Sequence, residues 1–230
     1  TPQPFVNDDE TVIAFFNGEI YNFLDFGEYS SDGECILPLY REYGTEFVKK
    51  LDGEFALAVV DFEQDLLLFS TDVFSMKPLW FASDDSDFGL SSYKSCLERI
   101  EFEKPVQIEA NSTYIYRLSK MEKMERKDVH TFDLRQYKDS FDDWEKAFSE
   151  AIEKRTRNIK HGIFIGLSSG YDSGAICCEL LKQKVPFKAY SVMTPVIVHE
   201  NTRIVEERQS IISQSNISEF HNFMKDQDIR

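Results

Sequence analysis

Two short runs in this 230-residue chain combine residue types that can do chemistry. The first is Leu167-Ser168-Ser169-Gly170-Tyr171-Asp172-Ser173-Gly174, lying between an apolar run and a helical pattern. Small residues let backbone N–H groups turn inward, a helix N-terminus adds partial positive charge, and serine hydroxyls donate further hydrogen bonds, so this run can hold a phosphate. Asp172 is awkward beside a bare phosphate but suits a Mg²⁺ ion next to one. The run is neither a Walker loop, since no Gly-Lys-Ser or Gly-Lys-Thr follows, nor a GxGxxG turn. A plain Ser/Gly turn with Asp172 or Ser173 capping the next helix accounts for the same residues about as well. The second run is Asn17-Gly18-Glu19-Ile20-Tyr21-Asn22. Its plain reading is an Asn-Gly turn after a strand. Its chemical reading is an oxyanion hole made by the Asn17 amide and the Gly18 N–H, with a nearby carboxylate to bind a substrate amine.

The surrounding pattern says what must position these groups. From 11 to about 117 the chain reads as short strands rich in Val, Ile, Phe and Tyr, broken by Asp, Gly and Ser, and largely antiparallel. A strand is predicted over 11–16, and a hairpin joins 55–61 to 66–70 around Glu63, Gln64 and Asp65. Both are apolar enough for a sheet covered on two faces. Ile36, Leu37, Leu39 and Tyr40 fall at helical spacing behind Asp32 as a cap, which predicts a helix over 33–43 and a layered α+β domain. Between 118 and 138 the chain turns charged, with Lys120, Glu122, Lys123, Glu125, Arg126, Lys127 and Asp128 close together, and the domain junction is expected there. Beyond it, Ser140 and Asp143 read as a capping box ahead of Phe141, Trp144, Ala147, Phe148, Ala151 and Ile152 on one helical face. An apolar strand over 162–167, the Ser/Gly loop, a helix over 174–183 and a strand over 187–193 make a β-loop-α-β unit of a parallel sheet.

Composition narrows the function classes. Lys and Arg number 26 against 41 Asp and Glu, and a net charge of -15 disfavours nucleic acid and anionic membrane surfaces. No apolar run approaches the roughly 20 residues of a membrane span, and no signal peptide opens the chain, so a cytoplasmic protein is expected. Cys35, Cys96, Cys177 and Cys178 lack the CxxC spacing of a zinc or redox site and read as reduced thiols. His130, His161, His199 and His221 match no ligand pattern. Thr1 in place of Met points to a processed product or a fragment.

Set side by side, these runs resemble the glutamine-dependent asparagine synthetases. Ser168-Ser169-Gly170-Tyr171-Asp172-Ser173 resembles the pyrophosphate loop SGGxDS of ATP-pyrophosphatases. Ser169 stands for its first glycine, which costs about 1 kcal/mol if that position needs a positive φ. NGEIYN is a signature of the class II glutamine amidotransferase domain of this family, with Thr1-Pro2-Gln3-Pro4 where a QP segment precedes it. Ser31-Asp32-Gly33-Glu34 is similar to the SDxE step, Leu51 to Ala56 to LxGxFA, and Thr71 to Leu79 to RDxxGxKPL. Thr71 there replaces arginine and Ser75 replaces glycine. Near Ser92-Tyr93-Lys94 the family's SExK step has lost its acid.

The resemblance implies an α+β then α/β fold. Residues 1–135 would be an N-terminal-nucleophile-hydrolase-like amidotransferase domain of antiparallel sheets and helices, incomplete at its N-terminus. Residues 136–230 would start a Rossmann-like parallel-sheet ATP-pyrophosphatase domain, incomplete at its C-terminus. It also implies an oxyanion hole of Asn17 and Gly18, and glutamine binding by Asn17, Gly18, Glu19 and Asp32. ATP would be held by Leu167, Ser168, Ser169, Gly170, Tyr171, Asp172, Ser173 and Val192, with Mg²⁺ at Asp172. A helix over 200–212 and a strand ending at His221 follow from the same register. The implied reaction amidates aspartate through β-aspartyl-AMP with glutamine-derived ammonia, giving asparagine, AMP and pyrophosphate, and a homodimer is compatible with it. The nucleophilic cysteine is expected upstream of Thr1, which is itself rejected as a nucleophile. A sister amidotransferase that adenylates another carboxylate, and a non-catalytic truncated relative, are the alternatives.

Overall fold

Strand-forming runs in the first half resolve into two antiparallel sheets in a computed structural model that describes residues 2–84, 87–157, 159, 161–193, 199–215 and 217–224. The chain divides into two compact units, Thr1–Arg135 and Gln136–Arg230. In the first unit the strands are β1 (Phe5–Val6), β2 (Val12–Ile20), β3 (Gly53–Asp61), β4 (Leu66–Thr71), β5 (Trp80–Ser83), β6 (Phe88–Ser91), β7 (Val106–Gln107), β8 (Ser112–Arg117) and β9 (Glu122–Asp128). They form one sheet in the order β1-β2-β3-β4-β8-β9 and another in the order β6-β5-β7. Every pairing in both is antiparallel.

The hairpin β3-β4 is the centre of the unit because its alternating side chains serve two cores. Phe55, Leu57, Val59 and Leu68 pack toward helix α1 (Ile36–Tyr43), against Ile36, Leu39, Tyr40 and Phe47. Ala56, Ala58, Val60, Leu67 and Phe69 face the second sheet and meet Leu79, Phe81 and Ile108. Phe69 stacks on Phe81 at 4.8 Å between ring centroids. Burial on both faces explains why these strands read as continuous apolar runs.

Two expectations are corrected in this unit. The helix predicted over 33–43 opens with a 3₁₀ turn, Asp32–Cys35, before α1, and Asp32 does not cap it. The Asp32 carboxylate instead accepts the Ile20 N–H at 2.8 Å. The charged run after 118 is ordered as β9, the outer strand of the large sheet, with Lys127 paired to Glu46 at 2.6 Å. Charge there discourages pairing with another chain, so these residues serve as a protected edge. The division between the two units falls after β9, at Arg135, inside the 118–138 stretch.

The second unit holds helix α2's successors: with α2 (Lys94–Arg99) in the first unit, α3 (Asp142–Thr156), α4 (Tyr171–Lys182) and α5 (His199–Ser215) belong here. They accompany the parallel strands β10 (Phe164–Gly166), β11 (Lys188–Met193) and β12 (Glu219–Met224), in that order. Ile152, Leu167, Cys177, Leu180, Phe187, Ala189 and Ile212 form the core. The capping box of α3 is not formed, because the Ser140 hydroxyl bonds Asp142 and Asp143 pairs with Lys138. Nor does the whole predicted face turn inward: Phe141 is 78% and Trp144 61% exposed, while Ile152 is buried. His221 sits within β12 rather than at its end, stacked on Tyr190. Among the described residues no helix is long and apolar enough to cross a membrane. The four cysteines form no disulfide.

Candidate functional site

Asn17 and Gly18 lie inside β2, not in a turn after it, opposite Ala56 and Phe55 of β3. The strand runs to Ile20 because Gly18 allows it. Its φ is +146°, and a Cβ there would stand 2.0 Å from the Glu54 carbonyl oxygen, so no other residue fits. Phe55 gives both its main-chain groups to the far side of β3: its N–H donates to the Asp72 carboxylate at 3.0 Å and its C=O accepts the Asp72 N–H at 2.9 Å. Main-chain direction alternates along a strand, so Gly18, across from Phe55, turns its own N–H away from β3 toward the open edge. Its neighbours of the same parity are engaged along that edge. Phe16 exchanges two hydrogen bonds with the Gln3 side chain, at 2.7 and 2.8 Å, and Ile20 donates to Asp32. The Gly18 N–H faces out between them.

Beside this edge lies a cavity of about 470 Å³ lined by residues of both sheets of the unit. Phe15, Leu79, Phe88 and Leu90 are among its apolar lining, and Gln3, Asn17, Ser91 and Ser92 bring the polar groups. The Asn17 amide donates to the Ser92 hydroxyl at 3.0 Å. No cysteine lines the cavity. Cys35, the cysteine nearest in sequence, is fully buried, and burial followed by the Asp32 charge pushes its thiol up to about 12. A thiol so protonated is no nucleophile at neutral pH.

Carboxylates gather at the end of the β2-β3 pair. Burial, then the Asp32 charge, raises the Glu19 carboxyl above its ordinary 4.5; Glu54 adds to this and Lys77 opposes it. Glu54 is cross-strand to Glu19, accepts the Tyr21 hydroxyl and lies 3.7 Å from the Lys77 amine. An incoming ammonium group would relieve the repulsion between Glu19 and Asp32. The turn after β4 braces this end: the buried Asp72 carboxylate collects the N–H groups of Phe55, Phe74 and Met76 at 2.8–3.0 Å. Thr71 is buried and donates to the Glu109 carbonyl, while Ser75 takes φ +51° with its hydroxyl buried and unpartnered.

In the second unit α4 begins at Tyr171, three residues earlier than the sequence pattern predicts, with Gly170 as N-cap. Asp172 and Ser173 are therefore in its first turn. The loop is closed by its own hydroxyls: Ser168 and Ser173 lie 3.0 Å apart, the Ser168 N–H donates to Ser173 Oγ at 3.2 Å, and the Gly170 N–H donates to Ser168 Oγ at 3.1 Å. Ser169 is not among the residues with positive φ, so the strain expected of a serine at that position does not arise. A cavity of about 360 Å³ is lined by Leu167, Ser168, Ser169 and Val192, with Tyr190 and Asn201 as neighbours the sequence did not single out. Gly170, Tyr171, Asp172 and Ser173 are not on its wall, and Tyr171 is 93% exposed. Arg208, also unforeseen, donates from α5 to the carbonyls of Ser168 and Gly170. Nothing local in sequence marks it, since 40 residues separate it from Ser168. Among the described residues no three His, Cys, Asp or Glu side chains group to hold a metal. Asp172 is exposed on the first turn of α4, off the wall of that cavity.

Residues 1–143 match the glutamine amidotransferase domain family. The chain belongs to that family. A putative glutamine-hydrolysing asparagine synthetase 1 of Methanocaldococcus jannaschii is 29% identical over 213 residues, 78% of this chain and 38% of its own length. The glutamine-hydrolysing asparagine synthetase of Zea mays is 35% identical over 100 residues, 36% of this chain and 17% of its own length. The chain thus spans less than half of each of these relatives. A glutamine phosphoribosylpyrophosphate amidotransferase from B. subtilis, solved with ADP and GMP, aligns over 97% of this chain and 64% of that one at 12% identity with a TM-score of 0.46, too slight a likeness to bear on the fold. The amidotransferase domain takes in the Asn17–Gly18 edge, both antiparallel sheets and the Glu19–Asp32 pair.

Proposed function

We propose that the first unit binds glutamine and hydrolyses its side-chain amide, and that the second unit begins an ATP-pyrophosphatase, the parent reaction being glutamine-dependent asparagine synthesis. The outward Gly18 N–H beside the Asn17 amide carries the first half of this reading. As a nucleophile adds to the glutamine amide carbon, charge collects on the carbonyl oxygen. Asn17 Nδ2 and the Gly18 N–H are two fixed donors for it, and loss of one such donor typically costs 10²- to 10³-fold in rate. Asp32 and Glu19 hold the α-ammonium group. The attacking group is a residue other than the four cysteines of this sequence.

In the second unit the Leu167–Ser173 loop takes the phosphates of ATP, with Val192 against the adenine and Asp172 on Mg²⁺. Opening the Ser168–Ser173 contact frees two hydroxyls for phosphate oxygens, and the N–H groups of the first turn of α4 face the same anion. When bound, ATP activates the aspartate carboxylate by forming β-aspartyl-AMP and releasing pyrophosphate. Ammonia from glutamine then displaces AMP and gives asparagine. The loop, Val192 and the parallel sheet support this half of the reading.

The test is to supply the full-length gene product with glutamine labelled in its amide nitrogen, aspartate and Mg-ATP. Labelled asparagine with equal AMP and glutamate is expected. Glutamate without asparagine would remove aspartate as the acceptor and favour a sister amidotransferase acting on another carboxylate. Absence of glutamate release would sink the amidotransferase reading itself.

A further inference from the structure

An amide that serves an oxyanion must present nitrogen, not oxygen, and Asn17 is exposed enough on its strand to turn either way. The two ends of an Asn side chain are nearly the same shape, so only a hydrogen-bond partner selects between them. A serine hydroxyl can accept from an amide nitrogen or donate to an amide oxygen, and in this structure Ser92 Oγ accepts one N–H of Asn17 Nδ2 at 3.0 Å, which anchors the nitrogen on that side. The amide is planar, so fixing one N–H fixes the direction of the other, which is left for a ligand.

We propose that Ser92 is a positioning residue for glutamine hydrolysis, holding the Asn17 amide with its second N–H at the oxyanion site. This rests on the oxyanion-hole reading of Asn17 and Gly18 given above. Ser92 suits the task because its place is set by ordered structure. It follows β6, whose Ser91 pairs with Trp80 of β5, and the next residue ties back through the Tyr93 N–H to Ser91 Oγ at 3.1 Å. The contact spans 75 positions and joins the two sheets at the polar end of the cavity. One sheet therefore carries the donor and the other sets its direction. A hydroxyl at 92 is required, while the side chain at 93, which is 69% exposed, takes no part.

The experiment compares Asn17→Ala, Ser92→Ala and Ser92→Thr in the full-length gene product, reading kcat and KM for glutamate release together with the melting temperature. Asn17→Ala is expected to lower kcat about 100-fold or more. Ser92→Ala is expected to lower kcat about tenfold, a partial loss of the same donor, with KM within about twofold and melting unchanged. Ser92→Thr, which keeps the hydroxyl, should restore kcat. If Asn17→Ala leaves kcat intact, or the wild type releases no glutamate, the oxyanion-hole reading falls and this inference with it. If Asn17→Ala is crippled while Ser92→Ala is not, the inference about Ser92 alone falls. It also falls if Ser92→Ala lowers melting and Ser92→Thr fails to restore kcat, since Ser92 would then be structural.

Discussion

The two candidate sites are built on opposite principles. At the β2 edge the main chain itself is the apparatus: Gly18 is clamped against Glu54, its neighbours along the edge are bonded to Gln3 and Asp32, and the core packs behind it. In the loop after β10 the main chain is held by side chains, through Ser168, Ser173 and Arg208, none of them fully buried. The first arrangement is fixed by the main chain and its core, and under the proposed ATP binding the second would exchange its internal hydrogen bonds for those of a phosphate. Residue type is therefore forced at the first site and more permissive at the second.

The largest expected break in this contrast is Gly18→Ala. A Cβ at 2.0 Å from backbone, at φ +146°, should destabilise the first unit by about 3 kcal/mol or more. Gly170→Ala has φ -68° and meets the movable Ser168 hydroxyl at 3.2 Å, so it should cost under about 1 kcal/mol. Urea unfolding of both variants measures this, and equal losses would refute the contrast.

Next in size is the support around each site. Asp72→Ala strips three N–H groups of a buried carboxylate and should cost about 3 kcal/mol, whereas Ser173→Ala should cost about 1 kcal/mol. Chemical denaturation with a probe in each unit separates the two.

Two serines, one near each site, sharpen the comparison further. Ser75→Gly relieves φ +51° and a buried unpartnered hydroxyl, and should stabilise by about 1 kcal/mol. Ser169→Gly relieves no positive φ and should destabilise by about 0.5 kcal/mol through chain entropy. Melting shifts of the same sign in both would contradict this account.

The smallest effect is a pH dependence confined to the first site. Glu19, raised by burial and then by Asp32, keeps its proton to a higher pH when folded than when unfolded. Its contribution to stability is thus present below 4.5 and is lost as pH rises through the folded value. Binding an ammonium group requires the carboxylate, so KM for glutamine should rise as pH falls through that same raised value. The rise should begin at a higher pH than an unperturbed carboxylate would give, and Glu19→Gln should flatten it. A profile shared by wild type and variant would assign the titration to another group.

Much of this architecture was legible in the residues. The β3-β4 hairpin around Glu63 to Asp65 and the strand-loop-helix-strand order of the second unit followed from apolar runs and turn residues, because those patterns are set by burial along one short segment. Asn17, Gly18, Glu19 and Asp32 were singled out from sequence and converge on one end of β2 and β3. Other readings failed where a local pattern had two physical meanings. Asn-Gly signals a turn, yet here its glycine lets a strand pass close to Glu54. Asp32 and Ser140 looked like caps, but Asp32 bonds Ile20 and Ser140 bonds Asp142.

What the sequence determined by itself was which segments are buried and which short runs carry polar groups suited to an amide or a phosphate, because periodicity and local spacing depend only on near neighbours. What only the tertiary structure decided was direction: that the Gly18 N–H faces the open edge, that Ser92 holds Asn17, that Arg208 reaches the Ser168–Gly170 carbonyls, and that Ser169 escapes strain while Ser75 does not. Each of these depends on groups from strands and helices far apart in the chain, and their meeting is fixed by sheet register and core packing rather than by any one stretch of residues.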